Sequence, residues 1–121
     1  MTTLSTHVLD SATGRPAIGM VVRLETSVII DPAGGSTGRG WVAVGGGSTD
    51  ADGRLKTWGD GAPFGPGSHR LIFDTEAWFA GQGRECFYPE VIITFTVNDD
   101  GSHCHVPLLL AAYAYSTYRG S

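Results

Sequence analysis

Two histidines, His103 and His105, flank Cys104, and the strand-like run Val106-Pro107-Leu108-Leu109-Leu110 follows them. An extended strand sends alternate side chains to opposite faces, so Cys104, Val106, Leu108 and Leu110 share an apolar side while His103 and His105 stand together on the other. Imidazoles ordinarily titrate near pH 6.5, so such a pair can take up and release protons at neutral pH. Alternate residues of one strand can also both reach a metal ion. Zinc, however, wants a third and a fourth ligand, and Cys104 faces the wrong way. After a bend at Ala111-Ala112, the residues Tyr113 to Tyr118 form a second strand-like run. Ala114, Ser116 and Tyr118 point to one side of it and Tyr113, Tyr115 and Thr117 to the other. An aromatic, a guanidinium and a hydroxyl follow directly in Tyr118-Arg119-Gly120-Ser121, which reads as a binding element rather than as a frayed, polar terminus.

Two more groups have the right chemistry but no telling spacing. His7 lies in a first strand, where a lone histidine is more often structural than catalytic. Arg54 follows the turn Thr49-Asp50-Ala51-Asp52-Gly53, where an isolated arginine is ordinarily a solvated charge. The glycine-rich segment 31–40 (DPAGGSTGRG) invites comparison with a phosphate cradle. It lacks the Lys-Ser/Thr of a P-loop and is followed by no helical pattern, so it reads as a surface loop without an assigned function.

These groups must be positioned by short strands. Leu4–Asp10, Gly19–Glu25 running on toward Ile30, Trp41–Val44, Arg54–Thr57, Ser68–Phe73, Glu90–Val97 and His103–Leu110 all have strand patterns. Gly45-Gly46-Gly47 marks a bulge or weak point. Asp52-Gly53 and Asn98-Asp99-Asp100-Gly101 read as hairpin turns. Asp74–Gly81, with an acidic start and a closing glycine, is the one expected helix. Strands separated by turns predict an all-β, two-sheet antiparallel Greek-key sandwich with one short helix, built as a single domain over residues 1–121.

The chain has 121 residues, is 41% hydrophobic and 17% charged, and carries a net charge of -4. That balance fits a soluble globular domain and gives no general attraction to nucleic acid or anionic membranes. No run has the length of a membrane span and the N-terminus lacks a signal-peptide pattern, so a cytoplasmic location is expected. Cys86 and Cys104 are too few for a disulfide framework and read as free, buried thiols.

Taken in order, the motifs Thr6-His7-Val8-Leu9-Asp10 with Gly14 and Pro16-Ala17, Asp52-Gly53-Arg54, Phe87-Tyr88-Pro89-Glu90-Val91, His103-Cys104-His105-Val106-Pro107-Leu108-Leu109 and Tyr115-Ser116-Thr117-Tyr118-Arg119-Gly120-Ser121 resemble the transthyretin-like 5-hydroxyisourate hydrolases. Each motif is weak alone, whereas the ordered set spans nearly the whole chain. The resemblance implies a transthyretin-like (prealbumin-like) sandwich and a homotetramer, a dimer of dimers whose central channel holds the active sites. It implies hydrolysis of a cyclic amide of 5-hydroxyisourate in urate degradation, with no metal and no other cofactor. His7, Arg54 and His105 would be the catalytic set. Tyr118, Arg119, Gly120 and Ser121 would shape the substrate pocket, and His103 and Ser116, which strand parity places on the same face, are expected to join them in holding the substrate. The hormone carriers of the same fold have lysine, glutamate and threonine where this chain has His7, Arg54 and His105, so the alternative is a carrier of an aromatic small molecule without catalysis. This chain departs from the hydrolases at Ala111-Ala112-Tyr113-Ala114, where a Ser-Pro and a Gly-Tyr are usual, and loses a proline that would stiffen the bend.

Overall fold

The computed structural model describes residues 3–30, 38–59 and 64–120. Most of the glycine-rich segment, residues 31–37, and the expected site residue Ser121 lie outside them.

Strand β1 (Thr3–Asp10) shows the clearest alternation of the chain: Leu4, Thr6, Val8 and Asp10 are buried, while Thr3, Ser5, His7 and Leu9 face outward. It is the hub of the first sheet. On one edge it pairs antiparallel with the two-residue strands β2 (Arg15–Pro16) and β5 (Arg54–Leu55). On the other it pairs with β8 (His103–Leu110), which β9 (Tyr115–Thr117) extends. The second sheet runs β4 (Gly38–Ser48), β3 (Val21–Ile30), β6 (Gly67–Phe73) and β7 (Val91–Val97), all antiparallel. Between the sheets lies a core that includes Val8, Val22, Leu24, Leu71, Phe73, Val91 and Leu108. Its polar members are satisfied: the Thr6 hydroxyl donates to the Val106 carbonyl at 2.6 Å and the Trp58 indole N–H to the Leu4 carbonyl at 2.9 Å.

The expected sandwich with one short helix is present, and its details depart from the sequence reading in three places. First, β1 and β8 are parallel, the one strand pair among the described residues that is not antiparallel. Second, the turns at 49–53 and 98–101 do not close hairpins. Each carries the chain from the second sheet to the first, linking β4 to β5 and β7 to β8. A turn motif fixes a local reversal but not the neighbour that receives the outgoing strand. Third, β4 is longer than expected, and its irregularity sits where Val44 is left between the pairs Leu24–Gly45 and Glu25–Ala43, beside the glycine run.

Helix α1 (Thr75–Ala80) begins at Asp74, whose carboxylate accepts the Ala77 N–H, and buries Phe79 against the core. No helix among the described residues is long and apolar enough to cross a membrane. Cys86 and Cys104 are free and half-buried rather than fully buried.

Candidate functional site

The parallel register of β1 and β8 gathers the site. It sets Thr3 beside His103, Ser5 beside His105 and His7 beside Pro107, all on the outward face of the first sheet. On the far edge of β1, the pairing with β5 sets Arg54 beside His7. His7, Arg54 and His105 thus come from three strands onto one surface, although the chain separates the first from the last by almost its whole length.

Local chemistry delivers Arg54 to that position. The Asp50 carboxylate accepts the N–H groups of Asp52 at 2.9 Å and Arg54 at 3.0 Å, and the Arg54 bond foremost holds the Asp50 carboxyl below its ordinary value. Gly53 adopts φ 75° and sits so close to β1 that a Cβ would lie 2.5 Å from the Val8 carbonyl oxygen, so only glycine makes this turn. Its own carbonyl accepts the Val8 N–H at 2.8 Å, which pins the turn to β1.

His105 is half-buried, and several causes push its pKa below the ordinary 6.5. Burial is the largest, followed by the neighbouring charges of His103, His7 and Arg54, and a hydrogen bond to the Ser5 backbone opposes them. The imidazole is therefore neutral at pH 7, with a lone pair available to accept a proton. Its Nδ1 is hydrogen-bonded to the Ser5 hydroxyl at 2.7 Å. The same hydroxyl meets His103 Nε2 at 2.8 Å, and the Thr3 hydroxyl meets His103 Nδ1. Both ring nitrogens of His103 are thus engaged by hydroxyls of β1. In this arrangement neither ring nitrogen is free to bond the substrate that the sequence reading expected His103 to hold.

The C-terminal segment closes onto this cluster. Gly120 donates its N–H to the His105 carbonyl at 2.9 Å, an antiparallel bridge that continues the β8–β9 register. A Cβ at Gly120 would lie 2.5 Å from His105 Cδ2, so the absent side chain is the space the imidazole occupies. Tyr118 and Arg119 line a cavity of about 330 Å³ with Phe95, Cys104, His105 and Val106. A second cavity, of about 230 Å³, is lined by Ser5, Asp50, Arg54, Lys56, His103 and His105. Among the described residues, His105 is the residue common to both. Ser116 does not join them: it pairs with Leu109, four residues along β8 from His105, or about 13 Å at strand rise. Arg119 lines the first cavity with Val106 and lies near enough to Asp100 to help lower that carboxyl, whose largest cause is its bond from the Ser102 hydroxyl.

Sequence reasoning missed Ser5 and Thr3. Their only signal is that they share the outward parity of His7, and nothing in the local sequence announces that β8 will lie beside them. Among the described residues, no group of three or more histidine, cysteine or acidic side chains is arranged to hold a metal ion.

A sandwich of one five-stranded and one four-stranded sheet, with one short helix among the described residues, is the architecture of the transthyretin-like proteins. The chain belongs to the HIUase/Transthyretin family, which it matches over residues 4–120. It is 41% identical over 118 residues to 5-hydroxyisourate hydrolase from Salmonella typhimurium, covering 98% of this chain and 80% of that one. The structure of Klebsiella pneumoniae 5-hydroxyisourate hydrolase superposes with a TM-score of 0.79 at 38% identity, covering all of both chains. Transthyretin from Sparus aurata superposes with a TM-score of 0.81 at 27% identity, covering 98% of this chain and 96% of that one.

Proposed function

We propose that this protein is a cofactor-independent hydrolase that opens the ring of 5-hydroxyisourate by attack of water on its cyclic amide carbonyl, a step of urate degradation. The convergence of His7, Arg54 and His105 on one sheet face carries this reading. His105, neutral at pH 7, takes a proton from the attacking water. His7 orients that water, and the permanently cationic Arg54 meets the negative charge that develops on the carbonyl oxygen. Tyr118, Arg119, Gly120 and Ser121 shape the substrate pocket. A carrier of aromatic ligands would have no use for a neutral, half-buried histidine held between an arginine and a hydroxyl, which favours the enzyme over that alternative.

The protein works as a single domain over residues 1–121, assembled as a homotetramer, in the cytoplasm. The exposed rings of Phe87 (67% accessible) and Tyr113 (67%) support the assembly, since a second copy would cover them. The deciding experiment is the spectroscopic decay of freshly generated 5-hydroxyisourate with and without the protein. Accelerated decay is expected. Binding without turnover would replace the hydrolase with a carrier.

A further inference from the structure

The bond between Ser5 and its two imidazoles restricts what each histidine can do. A serine hydroxyl has one proton to donate and lone pairs to accept with. Ser5 Oγ lies 2.8 Å from His103 Nε2 and 2.7 Å from His105 Nδ1. It can donate to one of these nitrogens, and the other must then donate to it. The two tautomers are therefore locked together. If His105 donates from Nδ1, its Nε2 is bare, Ser5 donates to His103 Nε2, and His103 donates from Nδ1 to the Thr3 hydroxyl. If the chain of bonds runs the other way, His105 carries its proton on Nε2 and has no lone pair to offer.

We propose that Ser5 is a positioning residue that holds His105 in the tautomer with Nε2 bare and couples it to His103, making Thr3, His103, Ser5 and His105 one relay. The inference rests on the hydrolase reading only for its effect on turnover. When His105 Nε2 takes a proton from water, the Nδ1 proton passes to Ser5 Oγ and the Ser5 proton passes to His103 Nε2. His105 ends neutral with its proton on Nε2, and His103 becomes the imidazolium. The positive charge thereby moves from a half-buried ring to an exposed one, farther along the sheet from Arg54, until the protons return by the same bonds and His105 gives the Nε2 proton to the departing ring nitrogen, which restores the starting tautomers. This gives His103 a use that requires no contact with substrate. The groups around His105 that bear on its titration are His7 from β1, Arg54, Lys56, Asp50 and Asp52 at β5 and its turn, His103 on its own strand, and Tyr118 and Arg119 from the tail.

The test begins without substrate. In the full-length protein labelled with ¹⁵N, long-range correlations of the ring nitrogens should show His105 protonated on Nδ1 and bare on Nε2 near neutral pH. Wild-type His105 protonated on Nε2 would overturn the proposal outright, whatever the variants do. Ser5→Ala should shift His105 toward the Nε2-protonated form and lower kcat by about tenfold or more, with KM within about twofold. It should also move the acid limb of the pH profile. Ser5→Thr, which keeps the hydroxyl, should restore all three. An unchanged tautomer and acid limb in folded Ser5→Ala would defeat the relay, as would a folded Ser5→Thr that behaves like the alanine variant. If the tautomer shifts as expected but wild-type protein leaves 5-hydroxyisourate untouched, the hydrolase reading fails and the relay stands.

Discussion

The two outward sheet faces of this sandwich use charge in opposite ways. On the second sheet, Arg70 and Glu25 form a 2.6 Å ion pair across β6 and β3, and the guanidinium lies 4.5 Å from the centroid of the Trp41 ring. On the first, Arg54 has no carboxylate within ion-pair distance among the described residues, and the nearby Asp50 spends its carboxylate on backbone N–H groups of its own turn. On the second face this arginine is paired within the chain. The first keeps a cation and two imidazoles beside a cavity, so its electrostatics are completed only by something that enters. Charge that is satisfied internally contributes stability, and charge left unsatisfied is available for binding and proton transfer.

The contrast breaks most visibly at His105. His105→Ala should lower turnover of 5-hydroxyisourate by about 10²- to 10⁴-fold while thermal unfolding stays nearly unchanged. In the native protein, activity should decline as pH falls through a value below 6.5, because burial and then the charges of His103, His7 and Arg54 depress this imidazole. The sign for stability is the same. A histidine depressed in the folded state binds its proton more readily when unfolded, so its contribution is full above pH 6.5 and is lost as pH falls through the folded value. A flat rate profile between pH 5 and 8 would break the assignment of His105 as base.

Gly120 should come next. An alanine there places a methyl 2.5 Å from His105 Cδ2, and displacing a catalytic group by an ångström costs about 10²-fold. Circular dichroism should show an intact sandwich, and steady-state kinetics should show the loss. Wild-type rates would mean that the tail does not set the position of the imidazole. The smallest effect belongs to the other face. Glu25→Gln should cost about 1 kcal/mol or less, read from urea unfolding, and leave ring opening unchanged. A loss of activity there would erase the division of labour between the faces.

Much of the site was legible because alternation in β8 separates His103 and His105 from Val106 and Leu108 without help from any other strand. The helix was equally legible, since Asp74 and Gly81 punctuate it locally. The partner of β8 was not. Strand parity says which residues share a face, but the choice of β1 as a parallel neighbour depends on how two sheets stack over Val8 and Leu108. Ser5 became visible only through that choice. Ser116 shows the converse error: its parity is right, but the register puts it beside Leu109, out of reach of His105.

The parallel seam between β1 and β8 also decides when in folding the site exists. Thr3 and His103 are 100 residues apart in sequence, whereas the β3–β4 and β6–β7 pairs join strands that lie near one another along the chain. Closing so long a loop carries its entropic cost before any contact rewards it, and topologies rich in such pairings fold slowly. An intermediate in which the second sheet has formed but the seam is open would keep its own ion pair and have no Ser5 beside His105. Assembly of the candidate site is therefore expected to come late in folding, after the second sheet has formed.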